Sequence, residues 1–305
     1  MEDIKPASQN VLITGATGFI GRRLVAALCA QGSRVRALVR NPSPLLPEAV
    51  EQVRGDLLEP SGMHDACRGI DTAYYLVHAM AGGRSGFQSR DRLAAQNFVS
   101  AAEKAGVKRV IYLGGLGETG PELSEHLASR REVAEILGKA SFATTILRAA
   151  VIIGAGGASF ERIRSLVESL PVMITPRWVS TRCQPIAVGD VIRYLVGCLE
   201  EERTANQTFD IGGPEILSYL EMMRRFGQIR NKTQLIIPVP FLTPKLSSYW
   251  VALITPVKPS ISMPLIEGVK NEVICRDSRI RELIPFEPTP YDEAIRIALR
   301  EGGEP

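Results

Sequence analysis

A glycine-rich segment near the start of the chain has the residue types and spacing of a phosphate-binding turn. It reads TGATGFIG, and it follows the apolar run Val11 to Ile13 and precedes a helical pattern. Glycine permits a tight turn and a close approach of the backbone to pyrophosphate, and the free amides of a helix N-terminus attract negative charge. The alternative is a glycine-rich turn with a purely structural role. The residues expected to contact a dinucleotide here are Gly15, Thr17, Gly18, Phe19, Ile20 and Gly21.

The residue after the second predicted strand discriminates between the two nicotinamide dinucleotides. NAD sites usually place Asp or Glu there, where it binds the ribose hydroxyls. This chain instead has Arg40, after the strand Val35 to Val39. A guanidinium group can pair with the 2′-phosphate of NADP(H), and Arg36 or Arg22 can assist it. The sequence therefore predicts NADP(H) in preference to NAD(H), the alternative being a solvated strand-end arginine.

Two further segments fall at the ends of predicted strands, where cofactor contacts cluster in such folds. Asp56 and Leu57 follow a short strand near Val53, so the carboxylate can accept a bond from adenine while the leucine lies against the ring. The alternative, that Asp56 caps the next turn, is equally supported by the residues. Val77 and His78 end the fourth strand and are also expected to contact the cofactor.

The elements that must position these residues alternate as strand and helix through the first half of the chain. This rhythm predicts an α/β fold, a Rossmann-type doubly wound parallel sheet covered by helices on both faces. We expect residues 1–150 to form the dinucleotide-binding domain, with later segments returning to it. Residues 151–305 are expected to form a smaller lobe for substrate or a partner. The strands and helices expected in the first half lie at 11–13, 20–28, 35–39, 73–77, 94–105, 110–113, 123–137 and 144–147.

The second half is predicted to contain helices at 160–170, 190–199, 217–227 and 291–300, with Ser218 as a possible N-cap of the third. Prolines become frequent between residues 236 and 264, and proline interrupts central strands and helix interiors. We expect loops and short helices there. The stretch 238–266 is interpreted as a covering segment, or as a surface for a quinone, a lipid or a partner subunit.

Composition excludes several classes of protein. The 305 residues carry a net charge of +3 with basic and acidic residues interspersed, which argues against nucleic-acid binding. The five cysteines are far apart and form no CxxC pair, so neither a metal site nor a redox dithiol is expected. Neither a signal peptide nor an uncharged run long enough to span a membrane is present, so a cytoplasmic location is expected.

Together these motifs resemble the short-chain dehydrogenase/reductase superfamily in its extended and atypical branches. Asn97, the segment LRAAVIIG at 147–154, the segment PIAVGDV at 185–191 and the segment FDIGGP at 209–214 carry the resemblance further. Within the superfamily, YLGGLG at 112–117 and LSEHLASR at 123–130 are most similar to the atypical group. That group contains the NADPH-binding accessory subunit of respiratory complex I, with NmrA-like and triphenylmethane-reductase-like relatives. The resemblance adds Gly114, Arg130 and Ala149 to the expected cofactor contacts.

The catalytic pattern of that superfamily is altered in this chain. Where active members carry tyrosine and, four residues later, lysine, it has His126 and Arg130, and Gly114 and Gly115 stand where a serine belongs. The helical spacing is kept, so His126 can serve as a proton donor and Arg130 can hold the ribose or orient substrate. In the other interpretation, His126 is an ordinary polar helix residue. The two resulting hypotheses are an NADPH-dependent oxidoreductase for a small apolar or quinone-like acceptor, and a non-catalytic NADP(H)-binding sensor or assembly subunit. A homodimer or a partner subunit is possible in either case.

Overall fold

The alternating apolar runs and amphipathic helices of the first half fold into a parallel sheet with helices on both faces. The computed structural model describes residues 9–78, 86–117, 125–169, 172–232, 235–239 and 272–303. The strands are β1 (Asn10–Thr14), β2 (Arg34–Val39), β3 (Glu51–Arg54), β4 (Thr72–Tyr75), β5 (Arg109–Gly115), β6 (Ala143–Ala149), β7 (Ile152–Ile153), β8 (Val172–Pro176), β9 (Arg182–Cys183), β10 (Ile186–Ala187), β11 (Thr208–Ile211), β12 (Leu217–Ser218) and β13 (Leu235–Val239). The helices are α1 (Phe19–Ala30), α2 (Met63–Cys67), α3 (Phe87–Ala105), α4 (Glu125–Gly138), α5 (Ala158–Ser169), α6 (Val188–Glu200), α7 (Tyr219–Ile229), α8 (Ile280–Leu283) and α9 (Tyr291–Glu301).

The main sheet has seven parallel strands in the order β11-β6-β5-β4-β1-β2-β3. The direction of chain progression reverses between β1 and β4, because β2 and β3 extend one way and β4 to β6 the other. In open α/β sheets, ligands bind at such a reversal, outside the carboxyl ends of the strands. The topology therefore places the glycine-rich turn, which follows β1, at the expected binding edge.

Side chains alternate across the strands and build two core layers. Val11 and Ile13 face a layer that contains Leu24 of α1 and Leu195 of α6. Leu12 lies in the opposite layer, under α2, α3 and α4. The strand period of two is what sends neighbouring apolar residues to opposite faces, so an uninterrupted apolar strand indicates a sheet buried on both sides. This confirms the predicted doubly wound α/β architecture.

A third apolar cluster lies outside the main sheet, in the second half of the chain. It gathers residues of α5, α7 and α9, such as Phe160, Phe226 and Ile295, around short strands. These strands form three two-stranded sheets, β10-β7, β12-β9 and β13-β8. Other parts of the second half return to the first: β11 pairs with β6 in the main sheet, and α6 lies beside α1.

The second half departs from the sequence expectation at two places. Residues 235–239 form a strand that includes Pro238, where loops and short helices were expected. A proline fits there because, among the residues that the structure describes, β13 pairs with β8 alone, and edge strands tolerate proline. The third helix begins at Tyr219 and not at Leu217, because Leu217 and Ser218 pair with β9 first.

Ser218 is confirmed as the N-cap of α7. Its hydroxyl accepts a bond from the Glu221 amide at 3.2 Å, and the Glu221 carboxylate accepts one from the Ser218 amide at 2.7 Å. This reciprocal pair satisfies two amide groups at the start of the helix. Among the residues that the structure describes, none of the helices combines the length and the apolar character that a membrane crossing requires.

Candidate functional site

The turn between β1 and α1 is closed by contacts that leave no room for side chains. Gly15 has φ of +71°, and a Cβ there would lie 2.8 Å from the Leu76 carbonyl oxygen. A Cβ on Gly21 would lie 2.1 Å from the Gly15 carbonyl oxygen, so the first turn of α1 is pressed against the loop. The Gly18 amide donates to the Gly15 carbonyl at 2.9 Å. The glycines are therefore required by shape, as the sequence pattern predicted.

The amides that open α1 are available to a ligand. The N-cap is Gly18, which has no side chain to satisfy the first amides, and Thr17 and Gly18 are both exposed. The amides of Phe19 and Ile20 lie in the same first turn, where backbone N–H groups have no partner within the helix. Phe19 directs its ring away, toward Gly154 and Gly157, whose Cβ positions lie 3.1 and 2.8 Å from its Cζ atom. This cradle fits the pyrophosphate of a dinucleotide.

The ends of β1 and β4 are tied together next to this turn. The Thr14 hydroxyl donates to the Tyr74 carbonyl at 3.1 Å and accepts from the Leu76 amide at 3.2 Å. Val77 follows directly, and its Cγ2 atom lies 3.3 Å from the Cβ position of Gly15. His78 lies with its ring centroid 6.1 Å from that of Tyr112 on β5. The structure thus brings Val77 beside the glycine turn and His78 beside the neighbouring strand.

The segment after β3 is held from two sides. The Leu58 amide donates to the Asp56 carboxylate at 3.0 Å, so Asp56 caps its own turn, which is one of the two roles expected for it. The Asn97 side chain of α3 donates to the Leu57 carbonyl at 3.0 Å. Leu57 itself is buried among Leu12, Met63 and other core residues. A contact of Asp56 or Leu57 with adenine stays a prediction.

Two arginines of β2 have different surroundings. Arg40 follows the strand and is exposed at its carboxyl end. Arg36 donates to Glu51 at 2.8 Å and to the carbonyls of Ala66 and Arg68 at 3.0 and 2.7 Å. Its guanidinium joins β2 to β3 and α2, which corrects the expectation that Arg36 assists at the 2′-phosphate. Arg40 is left as the strand-end cation, with Arg22 exposed on α1.

The guanidinium of Arg130 occupies the space beside Gly115 at the carboxyl end of β5. A Cβ on Gly115 would lie 3.0 Å from Arg130 Nη1 and 3.3 Å from its Cδ. Gly115 pairs in register with Ala149 of β6, and Gly114 with Arg148, so all these residues belong to one edge of the sheet. The sequence indicated that Arg130 replaces a lysine, but not that a glycine makes room for it. The sequence signal that could have shown this is the combination of two departures from the superfamily pattern, a glycine at 115 and an arginine in place of lysine at 130.

The position of α4 is fixed by bonds to its neighbours. The Ser129 hydroxyl donates to the buried Asp91 carboxylate of α3 at 2.9 Å, and the Tyr112 hydroxyl donates to the Arg130 carbonyl at 3.3 Å. His126 lies on the second residue of α4, but its side chain is outside the described part of the structure. The proton-donor role of His126 therefore stays a prediction.

Three arginines near this edge keep buried guanidinium nitrogens for which the described structure offers no hydrogen-bond partner. They are Nε and Nη2 of Arg90, Nε of Arg130 and Nε of Arg162. Each lies in the first or second turn of a helix, α3, α4 or α5, and these helices follow β4, β5 and the β6–β7 segment. Helices that follow parallel strands begin at the carboxyl edge of the sheet, so the helix ends that carry these three arginines lie on the same side of the sheet. Within the described ranges, no group of three or more His, Cys, Asp or Glu residues is arranged to hold a metal.

Comparisons with known proteins agree with this geometry. A family described as NAD(P)H-binding matches residues 15–160. The chain is 26% identical over 257 residues to the chloroplastic divinyl chlorophyllide a 8-vinyl-reductase of Arabidopsis thaliana, which covers 77% of this chain and 61% of that protein. It is 23% identical over 315 residues to the mitochondrial NADH dehydrogenase (ubiquinone) 1 alpha subcomplex subunit 9 of the same plant, covering 95% of this chain and 78% of that one.

A solved structure shares the fold. The Citrobacter sp. triphenylmethane reductase complexed with NADP(H) superposes with a TM-score of 0.77 at 21% identity, covering 95% of this chain and all of that one. The chain spans less than two thirds of the vinyl reductase's length. Residues 15–160 match an NAD(P)H-binding family, and the chain has homologues in the atypical group of short-chain dehydrogenases/reductases.

Proposed function

We propose that the chain is an NADPH-dependent reductase that transfers a hydride to a small apolar or quinone-like acceptor. The observation that carries the proposal is the guanidinium of Arg130 beside Gly115, at the sheet edge onto which the glycine-rich turn opens. The bound cofactor would supply the hydride. The chain would supply the pyrophosphate cradle, the cation at the site and a second lobe that covers the acceptor.

Arg130 can perform a task that differs from that of the lysine it replaces. Hydride addition to a carbonyl, a quinone or a conjugated alkene leaves negative charge on the acceptor. A fixed cation that is poorly solvated stabilises such charge more strongly than water does. Arg130 meets that description, since its Nε is buried and has no hydrogen-bond partner within the described ranges. A proton then has to reach the acceptor, and His126 on the same helix is our proposed donor.

NADP(H) is the proposed cofactor in preference to NAD(H). Arg40 stands at the end of β2 with its side chain exposed, and Arg36 is bound elsewhere. The neighbour with the shared fold was solved with NADP(H), which supports the same choice.

A second candidate function is a non-catalytic NADP(H)-binding subunit. The missing tyrosine and lysine favour it, as does the similarity to a respiratory-chain subunit over 95% of this chain. The two candidates share the cofactor site and differ in whether the acceptor lobe is used for chemistry.

The experiment that separates them is NADPH oxidation with a panel of quinones, aldehydes and enones. We expect turnover by the wild type and a loss of at least about tenfold in kcat for Arg130→Met, because a cation that acts on developing charge is removed. His126→Ala should lower kcat as well. Arg131→Met is the matched control, since Arg131 lies next in sequence but pairs with Glu135 at the surface. Tight NADPH binding without turnover on any acceptor would contradict the reductase and support the subunit.

A further inference from the structure

Arg162 of α5 is a partly buried cation in the second lobe. Its Nε is buried, and the described structure provides no hydrogen-bond partner for it. Arg164 lies two residues further along α5 and shows the ordinary arrangement, with Glu161 at 3.5 Å and Glu168 at 3.3 Å. Among the described residues, the same helix therefore pairs one arginine with carboxylates and leaves Nε of the other without a partner.

The side chains next to Arg162 border the apolar cluster of the second lobe. Leu166, one helical turn further along α5, and Tyr219 both pack against that cluster. Burial lowers the pKa of the Arg162 guanidinium, and the titratable group that acts on it is the Tyr219 hydroxyl at the start of α7. The pKa of Tyr219 is itself raised by burial, so this hydroxyl is neutral. An arginine in such a place costs folding free energy unless an anion joins it.

The position of α5 relates this cation to the cofactor edge. Gly154 and Gly157, which lead into α5, lie against the Phe19 ring at the start of α1. The helix that presents Arg162 thus begins next to the helix that presents the pyrophosphate cradle. A molecule bound by Arg162 would therefore contact the helix that begins beside the cofactor cradle.

We propose that the substrate is an organic acid and that Arg162 binds its carboxylate, a step that rests on the proposed reductase function. A carboxylate carries one negative charge and matches the planar guanidinium. A phosphate monoester carries nearly two, and the single cation next to a neutral tyrosine would leave the excess unbalanced in an apolar lobe.

The first test is the stability of the protein without ligand. Arg162→Met should raise Tm by about 2–4 °C, because removal of an uncompensated buried charge stabilises the fold. Arg164→Met, which breaks two ion pairs, should leave Tm unchanged or lower it. A fall in Tm for Arg162→Met as large as that for Arg164→Met would overturn the description of Arg162 as unpaired.

The second test uses ligands directly and does not depend on turnover. Thermal shifts are measured with 3-phenylpropionate, its neutral amide and phenyl phosphate, on the protein alone and with NADPH present. The carboxylate should raise Tm of the wild type and of Arg164→Met. Arg162→Met should need an at least about tenfold higher carboxylate concentration for the same rise in Tm. Equal shifts in Arg162→Met, no shift in the wild type, or preference for phenyl phosphate would overturn the proposal.

The outcome can be told apart from failure of the reductase itself. A carboxylate shift that needs Arg162, in a protein that oxidises no NADPH with any acceptor, would keep the acid site and contradict the reductase. NADPH oxidation that proceeds equally with acidic acceptors and their neutral amides would keep the reductase and contradict the acid site.

Discussion

The cofactor edge of the sheet and the second lobe are built in different ways. The cofactor edge consists of backbone: Gly15 and Gly21 touch neighbouring carbonyls, and the amides that open α1 are left for a ligand. The second lobe is held by charged side chains that are distant in sequence. Arg225 bonds Glu215 and, at 2.7 Å, Asp292, and Arg182 bonds Glu272 at 2.8 Å.

This difference follows from what each region has to bind. A dinucleotide has the same phosphates in every protein, so a backbone cradle of fixed shape serves it, and single Cβ atoms are enough to spoil it. An acceptor varies from protein to protein, and a lobe of short strands joined by side-chain bonds can change its lining with little effect on the main sheet. Arg130 lies at the cofactor edge and Arg162 on α5 of the second lobe, and in the described part of the chain each keeps a buried nitrogen without a hydrogen-bond partner.

The largest expected effect tests the backbone cradle. Gly21→Ala places a Cβ 2.1 Å from the Gly15 carbonyl, so the loop must move and the amides lose their common direction. We expect at least about 100-fold weaker NADPH binding, measured by the fluorescence of bound NADPH. Gly138→Ala is the control, because nothing lies within 4 Å of its Cβ position. A loss of less than threefold for Gly21→Ala would contradict the cradle.

The second effect concerns the charge at the end of β2. Arg40→Asp should weaken NADPH binding about 30-fold, because one charge-assisted contact is lost and a repulsion replaces it. NADH binding should change by less than about twofold. Arg34→Asp is the matched control, since Arg34 is exposed at the opposite end of the same strand. Equal losses for the two dinucleotides would refute the 2′-phosphate assignment.

A third change breaks the side-chain network of the second lobe. Arg225→Met leaves Glu215 and Asp292 without their shared cation and should lower the free energy of unfolding by about 1.5 kcal/mol in urea titrations. NADPH affinity should stay within about twofold, because the cradle is built from other residues. The neighbouring Arg224 is exposed, so Arg224→Met should cost less than about 0.5 kcal/mol. Loss of NADPH binding in Arg225→Met would show that the two regions are not separable.

The smallest effect tests the placement of Arg130 at the cofactor edge. Gly115→Ala introduces a Cβ 3.0 Å from Arg130 Nη1, so the guanidinium has to shift by a few tenths of an ångström. We expect kcat to fall about tenfold while NADPH affinity changes little, because a small displacement of a charge-stabilising group weakens its action. Stopped-flow NADPH oxidation measures this. An unchanged kcat would remove Arg130 from the reaction.

The same contrast explains which features could be predicted from the sequence. The glycine turn and the Ser218 cap depend on residues within a few positions of one another, and both were predicted. The bonds of Arg36 to α2, the place of Arg130 beside Gly115 and the partners of Arg225 join residues 10 to 67 positions apart. Such contacts depend on the tertiary arrangement, which no local pattern carries. The strand that contains Pro238 was missed for the same reason, since its tolerance depends on having one neighbour only.

The central claim is that the opening of α1 holds a nicotinamide dinucleotide by its pyrophosphate. Isothermal titration of the purified chain with NADPH and, separately, with NADH tests it most directly. The account predicts one site per chain for NADPH, with affinity in the range of about 0.1–10 µM and at least about tenfold weaker binding of NADH. No heat of binding for either dinucleotide, and no competition between the two, would contradict the claim.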